Sequence, residues 1–284
     1  MGKCFPGNIE IATKRKKRMK IVANGVAYHV EIYGHGDPLL LLHGFTGSVE
    51  SWKWLVPKWQ NKRKLIMIDI IGHGLSDSPH NFKRYEIEHV AADLEEILKQ
   101  LHIEKVNVLG YSMGGRLALT FAILYPHRVN KLILESSSPG LKSDEERRAR
   151  IKSDEALALE IETYGVKHFV EKWENIPLFN TQKRLPPIVQ ERIRTERLRN
   201  KEKGLANSLR GMGTGKQPSW WDRLSEVTIP TLLICGELDE KFCRIASEMA
   251  RFMPNAVVSQ ISDSGHAIHV EQPEIFVKIV DEFI

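Results

Sequence analysis

Gly110-Tyr111-Ser112-Met113-Gly114-Gly115 lies between an apolar run at 106–109 and a helical pattern over 113–125. A G-x-S-x-G sequence at a strand-to-helix junction makes a sharp turn that lifts the serine hydroxyl above the sheet. Side chains in place of the flanking glycines would collide with neighbouring backbone. The N-terminus of the following helix points at the hydroxyl and favours developing negative charge there. Such a serine needs a base, and the base needs an acid to orient it. Cys235-Gly236-Glu237-Leu238-Asp239 ends one strand pattern and leaves Asp239 in the loop beyond it. Asp263-Ser264-Gly265-His266-Ala267 ends the next and does the same for His266. His266 can exchange a proton with Ser112, while Asp239 fixes the imidazole tautomer and stabilises the imidazolium. Glu237, Asp263 and Glu240 are rival acids that read as solvated loop carboxylates. His269 reads as a locally satisfied histidine.

His43-Gly44-Phe45-Thr46-Gly47 follows the apolar run 39–42. The backbone N–H groups of Phe45 and Met113 are expected to form an oxyanion hole. His43, and His73 in Gly72-His73-Gly74-Leu75-Ser76, read as structural histidines in tight turns.

These segments meet only if one sheet carries them all. Residues 20–23 and 26–33 form a hairpin turned by Asn24-Gly25. The short apolar runs 39–42, 65–70, 106–109 and 129–134 predict buried strands, and 49–59, 85–101 and 113–125 predict helices. Strands alternating with helices imply an α/β fold: a mostly parallel twisted sheet with helices on both faces. The carboxyl edge of such a sheet is where ligands bind. The alternation stops over 139–215, which is charged, helical in propensity and without a convincing strand. It resumes with strands at 231–235 and 256–261 and helices at 242–252 and 271–283. The expected organisation is a basic mobile leader over 1–18, a core in two parts over 19–138 and 216–284, and a helical lid over 139–215. The lid enters after the fourth parallel strand.

Composition agrees with a soluble globular enzyme. The chain has 284 residues, 42% hydrophobic and 27% charged, which excludes disordered, collagenous and disulfide-stapled classes. Cys4, Cys235 and Cys243 are too few and unpatterned for a disulfide framework or zinc site, so the cytoplasm is the expected compartment. The net charge of +5 is local. Lys3, Lys14, Arg15, Lys16, Lys17 and Arg18 against Glu10 account for all of it. The leader therefore reads as a mobile tail, or as sequence ahead of a start at Met19, rather than a nucleic-acid site. It has no apolar region of a signal peptide, and Pro6 stands where myristoylation usually wants Ser or Thr. No apolar run approaches a membrane span. A monomer or small homo-oligomer is expected.

Arginine is concentrated in the lid. Residues 142–210 hold Arg147, Arg148, Arg150, Arg184, Arg192, Arg194, Arg197, Arg199 and Arg210, nine of 18 in the chain. Most are expected to pair with the lid's own acids. Arg116 differs, because it stands four residues past Ser112 on the same helix face. Burying a guanidinium there needs an anion to pair with it. Arginine takes carboxylates through a bidentate fork. A small molecule with several carboxylates is the expected partner.

In their order and context the four segments resemble the α/β-hydrolase superfamily from about residue 20 to the end. A serine at the elbow sets the chain apart from branches that use aspartate there. Four stretches are more specific: residues 110–116, Ser138-Pro139-Gly140-Leu141, residues 211–219 and residues 236–242. Together they are similar to the menaquinone-pathway family of 2-succinyl-6-hydroxy-2,4-cyclohexadiene-1-carboxylate synthases. That resemblance implies a lyase that eliminates pyruvate from 2-succinyl-5-enolpyruvyl-6-hydroxy-3-cyclohexene-1-carboxylate, a substrate with three carboxylates. It implies Ser112, activated by His266 and Asp239, as a base rather than a carbon nucleophile. It assigns Arg116, Arg150 and Arg199 to the carboxylates, with Arg197 the alternative in register to Arg199. It carries over Tyr111 and Trp173 as substrate contacts, and implies no metal or organic cofactor. Two other readings stand: a serine hydrolase of this fold acting on an ester, thioester or C–C bond, and a non-catalytic binding protein, against which the intact triad speaks.

Overall fold

The computed structural model describes residues 16–284. Eight strands form one sheet: β1 (Lys16–Ala23), β2 (Val26–Tyr33), β3 (Asp37–Leu42), β4 (Arg63–Ile68), β5 (Val106–Tyr111), β6 (Val129–Glu135), β7 (Thr231–Gly236) and β8 (Ala256–Ile261). Their spatial order is β1-β2-β4-β3-β5-β6-β7-β8. β1 and β2 are antiparallel, β2 meets β4 antiparallel, and every pairing from β4 to β8 is parallel.

The central strands are apolar throughout because both faces are covered. Successive side chains alternate between two cores. Leu40 and Leu42 face α2 (Ile87–Gln100) and α3 (Met113–Leu124), through residues such as Leu94, Leu98, Leu117 and Phe121. Leu39 and Leu41 face Trp52 and Leu55 of a 3-10 turn, Trp59 of α1 (Val56–Trp59), and Phe276 and Val280 of α9 (Pro273–Phe283). α7 (Glu240–Phe252) and α8 (Ile268–Glu271) follow β7 and β8.

The sheet begins earlier than expected. Lys16, Lys17 and Arg18, assigned above to the leader, pair with Tyr33, Ile32 and Glu31, and Arg18 Nε lies 2.9 Å from Glu31 Oε1. An edge strand with a solvated face accepts charged residues, so a run of lysine and arginine conceals it. Residues 1–15, the rest of the proposed leader, lie outside the described residues.

Between β6 and β7 the chain makes a helical excursion. It comprises α4 (Asp144–Trp173), a 3-10 segment at Pro177–Arg184, α5 (Pro187–Leu198) and α6 (Glu202–Met212). α4 is broken at Gly165, whose φ of 82° is open to glycine. The excursion has its own apolar core of Ile161, Val166, Phe169, Val170, Leu205 and Leu209. Phe45, from the loop after β3, packs against that core and joins the insertion to the sheet. At the neck, Trp220 N–H donates to Pro139 O at 2.8 Å and Trp221 Nε1 donates to Gly140 O at 3.0 Å. Among the described residues no helix is long and apolar enough to cross a membrane.

Candidate active site

The turn between β5 and α3 holds Ser112 at φ 50°, ψ −107°, a left-handed conformation for a residue with a side chain. Such a conformation costs about 1–3 kcal/mol and persists only where its surroundings enforce it. Two glycines enforce it here. A Cβ on Gly110 would lie 2.3 Å from Gly114 O, and one on Gly114 would lie 2.1 Å from Leu42 O. Ser112 N–H donates to Glu135 O at 2.8 Å, which ties the turn to the neighbouring strand.

His266 Nε2 is 3.0 Å from Ser112 Oγ, and His266 Nδ1 is 2.7 Å from Asp239 Oδ2. These distances let Nδ1–H donate to the Asp239 carboxylate and leave Nε2 to accept from the serine. Asp239 is also the N-cap of α7, where its Oδ1 accepts from Phe242 N–H at 3.4 Å. A carboxylate at a helix N-terminus is favoured electrostatically. Phe242 then packs 4.7 Å from the His266 ring and shields the pair from water. Glu237 and Asp263 lie exposed at the surface, where Asp263 pairs with Arg184 at 2.9 Å, and Glu240 is exposed too.

The other histidines are anchored elsewhere. His43 Nδ1 bonds Gly44 O at 2.8 Å, and its Nε2 accepts from Ile70 N–H at 2.9 Å. Burial, with His73 beside it, lowers its pKa to about 3. Burial likewise lowers His73 to about 4. Both are neutral supports for the loop that carries Gly44 and Phe45. His269 Nδ1 bonds Glu135 Oε1 at 2.8 Å, and both side chains are buried. Glu135 was not singled out in the sequence. An acid at the end of an apolar strand is its only local signal.

A cavity of about 220 Å³ opens above Ser112 and His266. Phe45, Met113, Tyr111, Arg116, Arg150 and Trp173 all line it. Trp173 closes its roof in edge contact with Phe45 at 5.5 Å and Phe179 at 5.8 Å. Its indole Nε1 is buried without a partner among the described residues.

Arg116 lies one helical turn past Ser112, as its N–H bond to Ser112 O at 3.0 Å records. Its guanidinium donates to Met212 O at 2.7 Å and to Gln217 Oε1. Both acceptors are neutral. Burial and the nearby Arg150 lower its pKa to about 10, which still leaves it charged at neutral pH. Arg150 is half-exposed and donates to Asp154 Oδ1 at 2.7 Å. Burial raises the pKa of Asp154, so this counter-ion is a reluctant one.

Arg199 is not part of the cavity wall, and its side chain is exposed. Arg197, two residues earlier, is buried instead. On a helix these two positions face about 200° apart, so only one can point inward. Its Nη2 donates to Gln182 Oε1 at 3.2 Å, and its guanidinium carbon sits 4.7 Å over the Phe179 ring. Sequence spacing left the pair unresolved; packing of α5 puts Arg197 inside. Ser136 and Ser137 along the cavity, and Gln182 on Arg197, were also missed, since no sequence motif marks them; Ser138 and Gln217 lie in two of the stretches named above but had been given no role. Among the described residues no cluster of three or more His, Cys, Asp or Glu side chains could hold a metal ion.

The arrangement can move a proton between a bound molecule and His266 through Ser112, beside a fixed positive charge. Comparisons with known proteins agree with its fold. The family described as the α/β hydrolase fold matches residues 37–273. A Bacillus subtilis protein, named provisionally as a 2-succinyl-6-hydroxy-2,4-cyclohexadiene-1-carboxylate synthase, is 51% identical over 93% of this chain and 96% of its own length. The solved structure of MenH from S. aureus superposes with a TM-score of 0.87 at 36% identity, over 90% of this chain and 97% of that one. A malate-bound esterase from Thermogutta terrifontis gives 0.81 at 29% identity, over 94% and 97%.

Proposed function

The chain belongs to the α/β-hydrolase family, and within it to the 2-succinyl-6-hydroxy-2,4-cyclohexadiene-1-carboxylate synthases, and from that premise we propose that it eliminates pyruvate from 2-succinyl-5-enolpyruvyl-6-hydroxy-3-cyclohexene-1-carboxylate in menaquinone biosynthesis. The observation that carries this reading is a charged Arg116 held only by neutral acceptors, in the same cavity as the Ser112–His266–Asp239 relay. A neutral ester gives that guanidinium nothing to pair with. A carboxylate on the reacting ring does.

Ser112 acts as a base in this mechanism. His266 takes the serine proton, and the oxygen removes the ring proton alpha to the succinyl ketone. The electron pair forms a dienolate, whose oxygen the N–H groups of Phe45 and Met113 stabilise. One such donor is worth about 3–4 kcal/mol in related sites. The dienolate collapses, the C–O bond to the enolpyruvyl group breaks, and the departing enolate takes a proton from the His266 imidazolium to become pyruvate. No water and no acyl-enzyme are needed. Arg116 and Arg150 hold substrate carboxylates, Tyr111 and Trp173 line the ring, and the helical insertion serves as the lid. No metal or organic cofactor enters any step. The substrate is the small-molecule partner, and neither nucleic acid nor membrane takes part.

The test supplies the enolpyruvyl cyclohexene to the whole chain. Pyruvate release, coupled to lactate dehydrogenase, and the absorbance of the new conjugated diene should rise together. A much faster turnover of p-nitrophenyl acetate, or an acyl adduct on Ser112 seen by mass spectrometry, would favour the ester hydrolase instead.

A further inference from the structure

A second histidine–carboxylate pair adjoins the triad and takes no part in the mechanism above. Glu135 ends β6 with no exposed surface, and His269, on the turn that follows His266, is buried with it. Glu135 Oε1 accepts twice from that one residue, from the His269 main-chain N–H at 2.9 Å and from its ring Nδ1 at 2.8 Å. Oε2 has no partner among the described residues. Burying a carboxylate at the end of an apolar strand is costly, which argues for a task beyond packing.

Three parts of the active site meet at this pair. The main-chain oxygen of Glu135 accepts the Ser112 N–H at 2.8 Å, so the residue already holds the elbow. Its side chain holds α8, whose first turn carries the His269 N–H directly after the His266 loop. That loop is braced on itself by Glu271, which accepts from Gly265 N–H at 2.6 Å and Ala267 N–H at 3.2 Å. Glu135 ties the braced loop to the elbow. Between the two stands Tyr111, its ring 4.7 Å from that of His269 and 5.4 Å from that of His266. Trp52 backs His269 at 4.7 Å. The oxyanion loop rests on the same ring, since a Cβ on Gly44 would lie 2.6 Å from Tyr111 Cε1.

We propose that Glu135 is a positioning residue that sets the separation of Ser112 and His266. It holds the elbow by its main-chain oxygen and the histidine loop by its carboxylate, through His269 and with Tyr111 wedged between the two histidines. It supplies geometry, two bonds to one oxygen, rather than charge to the reacting atoms. Losing it shifts His266 Nε2 relative to Ser112 Oγ, and such a shift slows turnover. Affinity is spared, because Arg116 and Arg150 belong to α3 and α4. The kinetic test rests on the elimination reading given above; the structural test does not.

Steady-state kinetics and crystal structures of the whole chain provide both tests. Glu135→Leu should lower kcat on the enolpyruvyl cyclohexene about tenfold to hundredfold, the scale of a displacement near 1 Å. KM should stay within about twofold, since ground-state binding is untouched. The crystal structure of this variant should show Ser112 Oγ and His266 Nε2 out of hydrogen-bond reach. Glu135→Gln keeps an acceptor and gives up the charge, so kcat should recover to within about threefold of wild type. If Glu135→Leu does not fold, His269→Phe carries the test. It keeps the main-chain bond and loses the ring bond, so kcat should fall about three- to tenfold at unchanged KM. An unmoved Oγ–Nε2 pair in Glu135→Leu, or a raised KM with kcat intact, overturns the proposal. So does Glu135→Gln as impaired as Glu135→Leu, or an unimpaired His269→Phe. If wild-type protein does not turn over the cyclohexene, the crystal structures decide alone. A displaced pair then upholds the positioning role while the elimination reading fails, and an unmoved pair overturns both.

Discussion

The cavity has two walls of different construction. The sheet edge supplies Ser112, Asp239 and His266 from strand ends and from the turns directly after them. The insertion supplies Arg150 and Trp173 from helices whose own packing decides which side faces inward, and that packing buries Arg197 against Phe179, itself part of the cavity lining. On the sheet side Ser112, His266 and Asp239 each have a short, defined partner. On the insertion side the arginines divide by partner. Arg210 is spent on Glu155 and Glu162, both within 2.9 Å. Arg197, like Arg116 on the sheet wall, meets only neutral acceptors. The presence or absence of an acidic partner, rather than the number of arginines, separates those that brace the insertion from those left with neutral acceptors alone.

The widest separation of the two walls should come from Ser112→Gly. It removes both the base and the left-handed strain. kcat should fall by roughly 10² or more, within the range of general-base catalysis. Stability should rise by about 1 kcal/mol, because glycine adopts φ 50° freely. Kinetics and thermal unfolding of one sample check both signs, and unchanged turnover would remove Ser112 from the chemistry.

Acid should act chiefly on the sheet wall. Burial lowers the pKa of His43 to about 3 and of His73 to about 4, below the ordinary 6.5. Between these limits the unfolded chain binds protons that the folded chain refuses. Stability therefore falls as pH drops from about 6.5 toward 4, by several kcal/mol in all. Urea unfolding at a series of pH values should give that slope, and His73→Leu should reduce it by about one proton. An unchanged slope would mean that His73 is protonated in the fold.

Arg116→Ala should lower kcat/KM on the cyclohexene about tenfold to hundredfold, the worth of a charge-assisted hydrogen bond. Arg116→Lys should lose less, since it keeps the charge and gives up the fork. Smallest of all, Arg210→Ala and Arg199→Ala should leave kcat/KM within about twofold. Arg210→Ala should cost less than about 1 kcal/mol of stability, because its partners are largely solvated. A strong kinetic loss at Arg210 would dissolve the distinction between bracing and binding arginines.

Legibility in the sequence followed the same division. Ser112, Asp239 and His266 could be placed because an apolar run ends immediately before each loop, and strand ends share one sheet edge. Arg116 followed from a four-residue step on a helix. Arg199 failed because α5 is amphipathic only weakly and offers two arginines two positions apart. Its inward side is set by Phe179 and Gln182 from another segment. The start of β1 at Lys16 was hidden because an edge strand needs no apolar alternation on its solvated face. Glu135 and His269 form a pair 134 residues apart in sequence, a contact that no local pattern encodes.

The neck of the excursion has a consequence for exchange and inheritance. The Trp220–Pro139 and Trp221–Gly140 bonds bring the two ends of the segment together at the border of adjacent strands. The closure entropy of a loop grows only logarithmically with its length. Shortening, lengthening or transplanting everything beyond that clasp should therefore disturb the sheet little, and one scaffold of this fold could carry many different caps. Gln217 sits just inside the clasp and holds Arg116. A cap exchanged as a unit would carry away the partner of an arginine that stays behind, so grafts that keep residue 217 should retain anion preference and grafts that discard it should not.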